Sequence, residues 1–282
     1  RRGPARAWVL LAGAALLPFD GPARPPREIL KPGELREPSG LAFHPGRGTI
    51  FAVGDEGDVV ELTLEGAVLR RRRVEKKLDL EAVTIGPEGR VCCAIEGAPA
   101  ILVLDPETLA TVRRIDIDPE LDGRRVLCLE PNAGVEGLCW VPERRAFFAV
   151  NQKSPARLVE LELSADGAKA RVKRIVAELD GTVKRCSDLA WDAASGHFLI
   201  ASAHKQKERP RRAAAGPKPE GAPATGGSGG RLFELDADGK VLREVPLPGE
   251  KPEGFCLDAA GAAYIACDAG GILKVERAAA AK

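Results

Sequence analysis

The chain reads as a succession of short apolar runs separated by turns rich in Gly, Pro and Asp. One figure in it is written five times. Ser39-Gly-Leu-Ala-Phe43, Glu81-Ala-Val-Thr-Ile85, Glu136-Gly-Leu-Cys-Trp140, Ser187-Asp-Leu-Ala-Trp191 and Glu253-Gly-Phe-Cys-Leu257 align without gaps. Each opens on a polar residue and runs into an apolar strand. A second strand follows and ends at another polar residue: Asp55, Glu96, Asn151, Ser202 and Asp268. The two polar positions stand 16, 15, 15, 15 and 15 residues apart. Self-similarity at a fixed interval is the mark of a repeat architecture.

Two further apolar runs follow each of the first four pairs, as in Val59 to Leu64 and Ala67 to Val74 of the first copy. Four short antiparallel strands joined by Gly-containing turns make the blade of a propeller. The pattern therefore predicts an all-β fold, a single β-propeller of five four-stranded blades over residues 27–278. The fifth copy stops after three strands. A spare segment ahead of the first copy, Arg27 to Leu35, is predicted to fill the gap and close the ring, which removes an exposed edge. Residues 204–230 hold almost no apolar side chain larger than Ala or Pro and are predicted to be a disordered loop in the fourth blade. Asp116 to Gly134 reads as a second long connection without clear structure.

Composition narrows the function classes. Among 282 residues, 42 basic and 41 acidic side chains nearly cancel, which argues against a nucleic-acid partner recruited by bulk charge. Residues 1–26 read as a signal peptide or a disordered N-terminal segment: three Arg, then the apolar run Ala7 to Leu17, then a Pro-rich break. The signal reading implies a periplasmic or extracellular protein. That run is too short to span a bilayer, and no other segment reads as a transmembrane span. The chain is expected to be a monomer. The seven cysteines lack zinc-ligand spacing and read mainly as small buried hydrophobes.

In a propeller the start of each first strand and the end of each second strand meet at one channel mouth. All ten polar positions are therefore expected there, with Asp188 beside them. Glu81, Glu136, Glu253 and Asp55 are the candidate metal ligands. Ser39, Glu96, Asn151, Ser187, Asp188, Ser202 and Asp268 are the candidate ligand-binding residues. Crowded carboxylates raise one another's pKa, and a hard cation such as Ca²⁺, or another divalent ion, relieves the repulsion. Lys153, Lys184 and Arg185 are close enough in sequence to neutralise the ring instead. A third arrangement has the Glu side chains capping backbone amides of neighbouring blades. Ser202 with His204 is the one pair resembling a nucleophile and base, with nothing to orient the His. Trp140 and Trp191 occupy matching positions and read as core between blades, and Arg70 to Arg73 as a solvated outer strand.

Glu37-Pro-Ser-Gly-Leu41, Asp79-Leu-Glu-Ala-Val83, Val135-Glu-Gly-Leu138, Ser187-Asp-Leu-Ala190 and Pro252-Glu-Gly-Phe255 resemble the motif copies of the SdiA-regulated (YjiK-like) family of β-propellers. The resemblance covers about Arg27 to Glu276 and implies an exported or envelope-associated propeller without an assigned activity. The Pro/Gly/Ala-rich loop after His204 departs from the family pattern. A wider resemblance runs to the gluconolactonase/regucalcin class and to esterase-like phytase domains. It implies an acidic rim holding a divalent cation, with Glu81, Glu136 and Glu253 as ligands or base. Two functions follow as expectations. One is a binding or scaffold module with a cation or small ligand at the channel mouth. The other is a divalent-metal-dependent hydrolase of an ester, lactone or phosphoester.

Overall fold

The computed structural model describes residues 25–76, 78–128, 134–152, 155–183, 185–203, 230–268 and 270–276. The expected signal segment before residue 25, the loop over 204–229, Lys153, Lys184 and His204 lie outside the described residues. Among those described, the chain is all-β apart from one 3-10 turn at Pro87–Gly89. No described helix is long and apolar enough to cross a membrane.

Strand β1 (Arg27–Leu30) precedes a meander of β2 (Pro38–His44), β3 (Thr49–Gly54), β4 (Asp58–Leu62) and β5 (Val68–Arg73), hydrogen-bonded in sequence order. A second meander is β6 (Leu80–Ile85), β7 (Val91–Ile95), β8 (Ala100–Leu104) and β9 (Thr111–Asp118). A small hairpin, β10 (Glu120–Leu121) with β11 (Arg124–Arg125), leads to a third: β12 (Val135–Val141), β13 (Ala146–Asn151), β14 (Arg157–Leu163) and β15 (Lys169–Glu178). The fourth is β16 (Cys186–Asp192), β17 (His197–Ser202), β18 (Arg231–Leu235) and β19 (Val241–Pro246). The last sheet holds β20 (Pro252–Leu257), β21 (Ala263–Cys267), β22 (Ile272–Val275) and, on its outer edge, β1. There Arg27 stands opposite Lys274, so both ends of the described chain share one sheet.

Two features depart from the sequence reading. Strands β9 and β15 meet in parallel, from Lys169↔Asp116 to Arg171↔Asp118, so the second and third meanders form one eight-stranded sheet. Each outer strand thereby covers an edge that would otherwise be open to pairing. The described part of the connection after Asp116 also has defined structure: Asp122 and Gly123 turn the β10–β11 hairpin, both at positive φ, and Val126, Leu127 and Cys128 bury against the third meander.

The second strands of the meanders, β3, β7, β13 and β21, are buried on both faces, which is why they read as near-continuous apolar runs rather than alternating ones. The inner first strands touch in ring order: β2 with β6, β6 with β12, β12 with β16, β16 with β20, and β20 with β2. Small residues at the second repeat position allow that approach. A Cβ on Gly40 would lie 2.9 Å from the Ala82 Cα, and one on Gly137 only 2.5 Å from the Leu189 N. Trp140 packs on Phe147 and Trp191 on Phe198, each pair with ring centroids 4.8 Å apart, inside the apolar layers between sheets. Such pairs add about 0.5–1.5 kcal/mol beyond their buried area. All seven cysteines are buried and unpaired, and the side chains of Arg70 to Arg73 stand on the outer strand β5.

Where the other copies carry Gly, Ala, Gly and Gly at the second position, the fourth carries Asp188. Its side chain is fully enclosed in mid-channel. One oxygen accepts the Leu189 N–H at 2.8 Å and the other the Phe255 N–H at 2.8 Å. The Leu41 N–H is a third donor. One carboxylate thus ties β2, β16 and β20 together. Burial pushes its pKa well up against the pull of these three amides.

Candidate functional site

Every inner strand has the same irregularity. Pairing of β2 with β3 steps from Pro38↔Gly54 to Gly40↔Val53 and skips Ser39. The same step skips Glu81 in β6, Glu136 in β12, Ser187 in β16 and Glu253 in β20. These are the first residues of the five repeats. A bulge leaves one residue out of the ladder and re-aims its side chain. Here four of the five side chains turn into a cavity of about 510 Å³ at the channel mouth.

Three repeat positions line that cavity. The bulge position supplies Ser39, Glu81, Glu136 and Glu253. The position just past the second strand supplies Asp55, Glu96, Gln152 and Asp268. The position two residues before each bulge supplies Glu37, Asp79, Arg185 and Lys251. Glu37 and Lys251 hold φ of 43° and 51° although each precedes a proline, where extended backbone is favoured. Strained backbone of this kind persists where the surroundings hold it, often at functional sites.

Seven of the eleven residues expected at the mouth line the cavity: Ser39, Asp55, Glu81, Glu96, Glu136, Glu253 and Asp268. Asn151, Ser187, Asp188 and Ser202 do not. Asn151 is still in the ladder opposite Val135, its amide donating to Pro155 O at 2.7 Å and accepting from the Arg157 N–H at 2.7 Å. Ser202 likewise pairs with Cys186, fully buried, and its Oγ has no partner among the described residues. Their first hairpins are one residue longer than those of the second and fifth copies, so the mouth position falls one residue later, at Gln152 and Ala203. A one-residue offset along a strand reverses the side-chain face. Ser187 donates to the Pro252 carbonyl at 3.0 Å, and Asp188 is the mid-channel tie. The spacing of the two hairpin classes could have revealed Gln152. Glu37, Asp79 and Lys251 could have been found as polar residues recurring two places before each repeat.

Eight carboxyl groups and two cationic side chains face this space. The distribution is lopsided. Asp55, Asp79 and Glu81 bring ligand oxygens within 4.8 Å of one another, while Glu136 and Glu253 stand outside that group. Gln152 Nε2 donates to Glu136 at 3.0 Å, and Lys251 pairs with Glu253 at 3.2 Å and with Asp268. Ser39 Oγ donates to Asp55 at 2.5 Å.

Burial raises the acids first, and their neighbours add to it. Asp55 is pushed up to about 6 by desolvation, with the Ser39 hydroxyl pulling the other way. Asp79 reaches about 7 through desolvation and a hydrogen bond shared with Glu96. Glu136 reaches about 8 through desolvation and the charges of Glu96 and Glu253, against Arg185 and Gln152. Glu81 reaches about 10 through desolvation and its acidic neighbours. Glu253 is also raised by burial, held back by Lys251 and Arg185. Three buried polar atoms of the lining have no hydrogen-bond partner among the described residues: Asp79 Oδ1, Glu136 Oε1 and Arg185 Nε. Hard oxygen donors at this density, with unpartnered oxygens, fit a divalent cation.

An all-β ring of sheets around a polar channel mouth defines a β-propeller. The chain belongs to the SdiA-regulated family, whose model matches residues 31–207. It is similar in fold to the glutaminyl cyclase of Myxococcus xanthus, with 14% identity over 90% of this chain and 95% of that one and a TM-score of 0.60. It is similar also to a putative gluconolactonase, with 11% identity over 92% and 93% of the two chains and a TM-score of 0.52. At these identities the likeness speaks for the fold alone.

Proposed function

We propose that residues 27–278 form one propeller of five four-stranded blades, with β1 completing the last. We propose that it acts as a monomeric binding module for a cation at the acidic mouth. The N-terminal pattern supports export to the periplasm or beyond. Asp55, Asp79 and Glu81 are the primary ligands, with Ser39 and Glu96 beside them. The observation that carries this reading is the trio of carboxylate oxygens within 4.8 Å. That span suits the shell of a Ca²⁺ ion, whose ligands stand at about 2.3–2.6 Å. Burial supplies the driving force, because a dipositive ion offsets the repulsion that otherwise keeps these acids protonated.

The test is a Ca²⁺ titration by calorimetry, with thermal unfolding in EDTA and in excess Ca²⁺. Ca²⁺ should raise the midpoint, and the double variant Asp79→Asn, Glu81→Gln should lose the rise. A parent midpoint indifferent to Ca²⁺, Mg²⁺ and Mn²⁺ would remove the cation reading.

One observation favours a second function. Arg185 Nε is buried on the cavity wall without a partner among the described residues, and the cavity is far larger than an ion. A metal-dependent hydrolase would use that space for an ester, lactone or phosphoester, and Arg185 for an anionic group on it. Turnover of such substrates that requires the divalent ion and falls in Arg185→Gln would establish the enzyme over the module.

A further inference from the structure

The fifth residues of the five repeats meet at the opposite mouth. Phe43, Ile85, Trp140, Trp191 and Leu257 are each half-buried and line a second cavity of about 740 Å³. We propose that this cup is a binding site for a neutral, planar, mainly apolar small molecule, independent of the acidic mouth.

The lining carries the chemistry of the ligand. The indoles of Trp140 and Trp191 are braced from behind by Phe147 and Phe198 in the same tilted geometry, 59° between planes in both pairs. Two rigid aromatic faces on adjacent inner strands offer stacking area at little entropic cost. Three carboxylates border the cup: Glu88 stands exposed to solvent at the rim, and the other two are already engaged. Asp192 accepts from the Ala194 N–H and the Ser195 hydroxyl, and Asp258 from the Ala260 and Ala262 N–H groups and the Tyr264 hydroxyl. Neither reaches out for a cationic partner. Trp191 Nε1 and His44 Nδ1 are both buried without a partner among the described residues, so an ether or carbonyl edge for the indole and a single donor for the imidazole are the polar features the lining can use.

The shape favours a compact molecule over a protein segment. The mid-channel approach of Gly40 to Ala82 and of Gly137 to Leu189, together with Asp188, closes the floor to a threaded chain. The turns at the rim satisfy their own backbone: Gly48 N bonds His44 O, Gly86 N bonds Arg90 O, Gly196 N bonds Asp192 O and Asp258 N bonds Ala262 O. These turns leave no unpaired run of backbone groups for an added strand. A volume of this size lies in the range of small-molecule sites, about 300–1,000 Å³.

The experiment is a fluorescence titration of the full chain with N-phenyl-1-naphthylamine, an uncharged aromatic dye, excited directly. Saturable one-to-one enhancement is expected. Ile85→Glu and Leu257→Glu, each placing a charge at the mouth of the cup, should weaken it at least tenfold. Glu81→Gln, at the other mouth, should leave it unchanged. If either variant fails to fold, Ala193→Trp, at an exposed rim position, narrows the entrance and should weaken binding in the same direction. Absence of saturable binding, or equal affinity in these cup variants, overturns the site. Equal affinity for the sulfonated anilinonaphthalene dye overturns the neutral class of ligand.

Discussion

The two mouths of the channel are built by the same five strands and differ by four residues of repeat. At one end, positions such as Glu81 and Glu253 are ejected from the ladder by bulges and face water and one another. At the other, positions such as Trp140 and Leu257 stay in the ladder and present a minor part of their surface. A bulge costs one backbone pairing and frees a polar side chain, whereas regular pairing keeps an apolar one against its neighbour sheet. The contrast teaches that a single strand can serve two chemistries when its register changes once along its length. Between the ends, small residues and one carboxylate keep the two environments apart.

The hardest blow to that separation is Asp188→Ala. It leaves the Leu41, Leu189 and Phe255 amides without their acceptor, and a loss of about 3 kcal/mol or more is expected in urea unfolding. Asp188→Asn, which keeps one acceptor oxygen, should cost less. A loss below ~1 kcal/mol in the Ala variant would show that backbone packing alone divides the channel.

Next comes pH. Asp55, Asp79 and Glu136 have folded pKa values near 6, 7 and 8, all above their ordinary values. The folded protein therefore holds more protons than the unfolded chain between about pH 4 and 8, and stability without divalent ions should fall as pH rises through that window. The stabilisation is fully present below the unfolded values and lost above the folded ones. Ca²⁺ should flatten the slope, because it competes with those protons and binds more tightly at higher pH. A cation-free stability that rises from pH 5 to 8 would contradict the acidic mouth as described.

Glu136→Gln sharpens the point on one residue. The unfolded parent ionises at this position from about pH 4.5 while the folded one holds its proton to about pH 8, so Gln, which ionises in neither state, should gain on the parent as pH rises. From pH 6 to pH 9 the gain should be about 2 kcal/mol in denaturant titrations. The smallest effect belongs to Ser39→Ala. Removing the hydroxyl that donates to Asp55 should raise that acid's pKa further above 6, read by NMR titration, at a cost of under ~1 kcal/mol.

Much of this architecture is written in the sequence as repetition. Strand positions recur because each sheet solves the same packing problem, and the polar residue opening each copy marks a place where the ladder is interrupted. The segment around Arg27 could be linked to the last sheet by counting strands, and β1 pairs there with β22. What the sequence hid was register. Copies of equal spacing conceal hairpins of unequal length, so Asn151 and Ser202 read as mouth residues while Gln152 and Ala203 hold that place. Asp188 looked like one more rim carboxylate because nothing local distinguishes an acid that faces water from one that gathers three amides. The parallel contact of β9 with β15 is a long-range event with no local signature.

The pairing of Arg27 with Lys274 also sets a timetable. As the chain leaves the ribosome, β1 emerges ahead of every other described strand, yet its partner β22 is the last of them. The early meanders can pair locally while β1 waits, an unsatisfied edge until β22 has emerged. Contacts this distant in sequence are slow to form, because a long loop must close before they contribute. The final sheet is then both the last to assemble and the natural place for the ring to begin to come apart.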